Sequence, residues 1–96
     1  MPFSVAAAIG LVSIAAAAAA SAEPPVGAAA CTGCHPSSTR VTSPVPRLAG
    51  QSQEAIVKAI QDFRSGTRAG TVMDRISRGF TDAEIQAIAA WYASQK

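Results

Sequence analysis

The chain has 96 residues but only one histidine, His35, and two cysteines, Cys31 and Cys34. A structural zinc site takes four ligands. After these three side chains no further Cys or His exists to complete one. Charge of one sign is also scarce. Eight basic residues stand against six acidic ones, a net +2, which is too mild to imply a nucleic-acid partner. No stretch alternates apolar and polar residues as a strand would, so the expected class is all-α. Methionine is rare too: Met1 and Met73 are the only two.

What is present is concentrated in Cys31-Thr32-Gly33-Cys34-His35. Two thiols three positions apart can each add to one vinyl group of a haem, and the adjacent imidazole reaches the iron from below the ring. Cys-x-x-Cys-His is the signature of c-type haem attachment. The competing readings are a redox disulfide and a zinc site. The first wants a βαβ setting, which no strand pattern here supplies; the second lacks its fourth ligand. One covalent haem c is the expected cofactor, with Cys31 and Cys34 as attachment residues and His35 as one axial ligand. On the opposite face Met73 is the one thioether beyond the N-terminal segment, 38 positions after His35. Gly66, Thr67, Gly70 and Thr71 place it in a loop, where a mere core filler is out of place. A His/Met pair raises the haem potential and suits electron transfer.

Residues 1–22 read as a secretory signal. Val5 to Ala20 is an apolar, alanine-rich run of sixteen residues, and Ala20-Ser21-Ala22 fits the small-residue cleavage pattern. The run is short of the ~20 residues that span a bilayer as a helix. No Lys or Arg precedes it, which leaves an uncleaved anchor as the alternative. Export to the periplasm agrees with covalent haem, and no membrane association is expected after cleavage. Residues 23–96 then form one monohaem domain, too small to be stable without a staple. Haem is that staple, and without it the chain is expected to be largely unfolded.

Within the domain, Pro24-Pro25 precedes a short helix expected over Val26 to Ala30 and running into Cys31, closed by Pro36. Gly27 either admits a close helix crossing, under Trp91 or Tyr92, or is a plain turn residue. The Ser-, Thr- and Pro-rich loop 36–51 contains Pro46, whose neighbourhood offers a carbonyl to orient His35, and Leu48, placed to cover the haem edge. The alternative reading is that its prolines only stiffen the loop. Ser52 is an N-cap type residue opening a helix with Ile56, Val57, Ile60 and Phe63 on one face and Glu54, Lys58 and Asp62 at ion-pair spacing. Gly66 ends it. Thr81-Asp82-Ala83-Glu84 is a capping box for a last helix carrying Ile85, Ile88, Ala89, Trp91 and Tyr92.

The order of these features resembles the small bacterial cytochromes c, short helices wrapped around one haem. More narrowly, Pro46-Arg47-Leu48-Ala49-Gly50-Gln51, Phe63-Arg64-Ser65-Gly66-Thr67-Arg68 and Met73-Asp74-Arg75-Ile76-Ser77-Arg78-Gly79-Phe80 resemble the haem subunit of flavocytochrome c sulfide dehydrogenase. Arg78 and Phe80 replace that family's usual Lys and Tyr, and residues 36–43 lack its glycine-rich stretch. The resemblance implies an electron-transfer subunit with no catalytic site of its own. Its partner is an FAD flavoprotein that oxidises sulfide, and a soluble acceptor takes the electrons onward. The alternatives are a freestanding periplasmic carrier serving an oxidase, reductase or reaction centre, and a haem sensor or peroxidase-like catalyst, which Met73 disfavours. Arg64, Arg68, Arg75 and Arg78 flank Met73 either as a docking rim or as partners of haem propionates and nearby carboxylates.

Overall fold

Four helices and one 3-10 turn make up the architecture, seen in a computed structural model that describes residues 1–4, 10–11 and 23–95. The cleavage pattern at Ala20-Ser21-Ala22 and nearly all of the apolar run before it lie outside the described residues. Helix α1 covers Ala28–Cys31, α2 Gln53–Ser65, α3 Met73–Ile76 and α4 Asp82–Ser94; the 3-10 turn Ser77–Gly79 follows α3 directly. Among the described residues there is no strand, and no helix is long and apolar enough to cross a membrane. The fold is all-α.

The two long helices begin and end where their sequences say they should. The Ser52 hydroxyl accepts from the Ala55 N–H at 3.1 Å, satisfying a donor that the first turn leaves free. At the other end Gly66 has φ 78° and donates its N–H to the Phe63 carbonyl, a left-handed conformation that favours glycine. In α4 the capping box closes both ways: Glu84 N–H donates to Thr81 Oγ1 at 3.2 Å, and Thr81 N–H to Glu84 Oε1 at 2.9 Å. Of the two ion pairs spaced along α2, the structure forms Lys58–Asp62, at 2.6 Å. An exposed pair of this kind contributes only about 0.3–0.5 kcal/mol.

Helices α2 and α4 pack against each other, with the Gln53 amide donating to the Gln86 carbonyl and side chain across the seam. The core they share is small. Among the described residues, Ala28, Ile56, Phe63, Ile85, Ile88, Ala89 and Tyr92 are the buried apolar side chains. Each large one buried is worth about 1.5–3 kcal/mol, little against the ordering of some seventy residues.

At the N-terminal end the structure departs from the sequence reading. Helix α1 starts at Ala28, not Val26, because Gly27 sits at φ 90°, outside helical space. The chain crossing over Gly27 is not Trp91 or Tyr92. A Cβ there would lie 2.7 Å from the ring of Phe80 and 3.4 Å from Ile88. Tyr92 reaches α1 one residue further on, donating its hydroxyl to the Ala28 carbonyl at 2.6 Å. Burial, with the nearby Cys31 second, pushes Tyr92 up to about 12, so its hydroxyl stays a donor throughout the neutral range. Met73 is not in a loop either: residues 67–72 are irregular, and Met73 is the first residue of α3. One helical turn has no room for an amphipathic period, so the pattern that reveals α2 has nothing to work on here.

Candidate functional site

Between α2, α3 and the loop that follows α1 lies a cavity of about 500 Å³, within the ~300–1,000 Å³ typical of small-molecule and cofactor sites. Its walls are chiefly apolar: Ile56, Ile60 and Phe63 from α2, Val72 and Ile76 beside Met73, and Ile85 and Ile88 from α4. All six candidate residues, Cys31, Cys34, His35, Pro46, Leu48 and Met73, line this one cavity.

The backbone after α1 explains how one wall collects three of them. Cys34 N–H and His35 N–H both donate to the Cys31 carbonyl, at 3.2 and 2.9 Å, so the chain stays coiled until His35 and leaves at Pro36. The latter bond is of helical i, i+4 type and sets His35 one turn beyond Cys31. Both cysteines are free thiols. Burial pushes the Cys31 thiol up, the opposite of the electropositive setting of a reactive redox thiolate.

The ring of His35 is oriented by the Pro-rich loop. Its Nδ1 lies 2.5 Å from the Pro46 carbonyl oxygen. A carbonyl only accepts, so Nδ1 carries a proton and Nε2 is the nitrogen left for a metal, the arrangement seen for metal-bound imidazoles. Arg47 holds this loop in place, donating from Nε to the Ser37 carbonyl at 3.0 Å and from Nη1 to the Ala49 carbonyl at 3.2 Å. Gln51 in turn donates to the Arg47 carbonyl at 2.6 Å. Leu48 packs between the cavity and the core cluster of Ala28, Ile56, Ile88, Ala89 and Tyr92.

Across the cavity, Gly70 lets the chain pass flat over Phe63, where a Cβ would lie 2.9 Å from the ring. Arg68 covers the same ring, its guanidinium carbon 4.8 Å from the centroid. The four arginines around Met73 therefore divide. Arg64 is spent on Ser77, Phe80 and Asp82 and Arg68 on Phe63. The side chains of Arg75 and Arg78 are exposed and make no hydrogen bond or ion pair among the described residues. Beside them Val72 and Ile76, which also line the cavity, are 50% and 42% exposed.

Sequence reasoning placed Phe63 on the apolar face of α2 and missed what Gly70 does beneath its ring and what Arg64 holds. Gly70 and Arg64 carry no periodic signal, since their roles depend on which ring or carbonyl the fold brings opposite them.

The residues fit a haem: an apolar slot, two unpaired thiols at one edge, an imidazole with one nitrogen already tethered, and a thioether in the lining. No protein-family model matches the chain. Among curated proteins it is 39% identical over 64 residues to the cytochrome subunit of sulfide dehydrogenase of Chlorobaculum tepidum, covering 67% of this chain and 58% of that one. It is 37% identical over 73 residues to the thiosulfate dehydrogenase electron acceptor of Thiomonas intermedia, over 72% of this chain and 34% of the relative. Cytochrome c-554(548) of Halomonas halodenitrificans is 34% identical over 70 residues, 69% of this chain and 84% of the relative. The chain thus spans well under two thirds of the first two and most of the third. An apolar slot edged by Cys-x-x-Cys-His, together with a relative matched over 84% of its length, leads to one conclusion: the chain belongs to the cytochromes c.

Proposed function

We propose that this chain is the electron-transfer haem c subunit of a flavin-dependent sulfide dehydrogenase, working in the periplasm after removal of residues 1–22. The observation that carries electron transfer is the gathering of Cys31, Cys34, His35 and Met73 around one apolar cavity. Cys31 and Cys34 would hold a haem through thioethers, and His35 and Met73 would donate to its iron. When bound, the haem supplies a one-electron couple whose potential a His/Met pair raises, with no open coordination position for substrate. Pro46 keeps His35 in the tautomer that offers Nε2. The α2 wall of Ile56, Ile60 and Phe63 excludes water, and low polarity around a redox centre also favours a raised potential.

The narrower assignment, with an FAD flavoprotein as donor and a soluble protein as acceptor, rests on the 39% identity to a sulfide dehydrogenase subunit. Exposed Arg75 and Arg78, with Val72 and Ile76 at the cavity mouth, form a basic and apolar rim suited to docking a redox partner. A second reading, a freestanding carrier, is supported by the 84% coverage of a relative named simply as a cytochrome.

The test is to isolate the tagged protein from its native periplasm and record absorption before and after sulfide. A larger flavin-containing chain that co-purifies, with haem reduced at catalytic turnover, supports the subunit. A lone cytochrome spectrum that responds to sulfide only by slow chemical reduction overturns it and leaves the carrier.

A further inference from the structure

Arg64 stands near the C-terminal end of α2, next to the cavity-lining Phe63, and its side chain is only 23% exposed. Each of its three guanidinium nitrogens donates one hydrogen bond. Nε donates to the Ser77 carbonyl at 2.7 Å, Nη1 to Asp82 Oδ1 at 2.5 Å, and Nη2 to the Phe80 carbonyl. Those three acceptors span the segment leaving Met73: the 3-10 turn, the extended residue after it, and the first residue of α4. Ser77 is fully buried and bonds back, its hydroxyl donating to the Asp74 carbonyl at 3.2 Å. A chain of hydrogen bonds therefore runs from the rigid α2 through Ser77 into the helical turn that carries Met73. That turn has little else. Helix α3 is four residues long, its N-cap makes no side-chain bond, and none of its residues is buried.

We propose that Arg64 is the positioning residue for the sixth ligand: its three-pronged grip holds the Met73 turn against α2 and so sets how often the thioether leaves the iron. The inference rests on the reading of Met73 as that ligand. An arginine is needed because its planar fork places donors in three fixed directions. A lysine keeps the charge but presents a single point that cannot meet three separated acceptors. Two of those acceptors are backbone carbonyls, so the grip constrains the course of the chain itself.

The test uses the oxidised, haem-loaded protein and free imidazole as probe. Imidazole binds only when Met73 is off the iron; the Met73 sulfur bond breaks, an imidazole nitrogen bond forms, and no electron moves. Its apparent affinity therefore scales with the fraction of molecules in the open state. Arg64→Lys is expected to tighten imidazole binding about tenfold, and Arg64→Met further, each tenfold being ~1.4 kcal/mol of lost closure. Tyr92→Phe, which removes the Tyr92–Ala28 hydrogen bond at α1 and touches none of the three acceptors of Arg64, serves as the control for a general loss of stability. It should lower the melting temperature and leave imidazole affinity unchanged.

An unaltered imidazole affinity in Arg64→Lys overturns the proposal, as does an equal rise in Tyr92→Phe. The ligand reading is checked separately in the parent protein by the weak red absorption band of thioether-bound ferric haem and its loss in Met73→Ala. If the parent lacks the band, it is the assignment of Met73 that fails. If the band is present and Arg64→Lys binds imidazole as the parent does, it is the role of Arg64 that fails. Should Arg64→Met not fold, Arg64→Lys alone decides.

Discussion

The two sides of the cavity are built by the same device at different range. On the side of His35, Arg47 grips the carbonyls of Ser37 and Ala49, ten and two residues away in sequence. On the side of Met73, Arg64 grips Ser77 and Phe80, thirteen and sixteen residues away. In each case an arginine fork satisfies backbone carbonyls that an irregular segment cannot pair for itself. The difference is what the fork is mounted on. Arg47 belongs to the loop that it ties, so that wall is a self-contained clasp, closed further by Gln51 and by the Pro46–His35 bond. Arg64 belongs to a thirteen-residue capped helix and holds a foreign segment. One wall is local and the other is borrowed from α2. A self-tied loop holds its ligand wherever the loop goes, whereas a borrowed wall holds only while the helices stay packed.

The largest effect is expected from removing what both walls close upon. Cys31→Ala/Cys34→Ala, which cannot attach haem covalently, should lose cooperative unfolding and most helical circular dichroism at 25 °C. The small buried core leaves the two walls facing a cavity of about 500 Å³, and a domain of this size is marginal without a staple. A native-like spectrum in the double variant would show that the protein walls suffice.

Next come the two glycines that let each side close. Gly27→Ala puts a methyl 2.7 Å from the Phe80 ring at a φ of 90°, so strain and overpacking add, together about 2–4 kcal/mol. Gly70→Ala meets the Phe63 ring at 2.9 Å with no positive φ to strain it, and should cost about 1–3 kcal/mol. Denaturant midpoints of the haem-loaded variants check the order. The second should also tighten imidazole binding, because a Cβ at Gly70 would lie 3.4 Å from Met73 itself.

A smaller change is expected on charge reversal of Arg75 and Arg78, which hold no part of either wall. Stability should be unchanged, while electron transfer with a redox partner slows severalfold at low ionic strength. The difference should vanish as salt shortens the Debye length from ~30 Å at 0.01 M to ~8 Å at 0.15 M. Equal rates at low salt would remove the docking role of the rim.

The smallest effect concerns the helix that backs both walls. The Glu84 carboxyl is held below its ordinary value of 4.5 by the Thr81 N–H, with the Thr81 hydroxyl second. A lowered folded-state value stabilises above the unfolded one and is lost as pH falls through the folded one. The parent should therefore lose a small increment of stability below pH 4.5, seen in thermal unfolding against pH. Glu84→Gln should not show that increment.

Much of this was legible along the chain because the signals are local. The Cys31 to His35 string, the Ser52 and Thr81 caps, the Gly66 stop and the apolar faces of α2 and α4 each depend on residues within a turn or two. The Pro46 acceptor was readable as a neighbourhood, because a rigid Pro-x-Pro segment narrows where a carbonyl can point. The start of α1, the helical turn at Met73 and the ring over Gly27 were not readable. A single turn has no period, and the space above a glycine belongs to whatever the fold delivers there.

The sequence by itself therefore determined the class of protein and narrowed the side chains able to attach or ligate a haem to very few, since Cys, His and Met are all rare in it. Only the tertiary structure decided which arginine does what. Arg64, Arg68, Arg75 and Arg78 are equivalent as letters around one methionine. The packing of α2 on the Met73 segment turns the first inward onto three acceptors and the second onto a ring, and leaves the last two in solvent. A guanidinium's role is set by the acceptors within reach, and reach is a property of the fold.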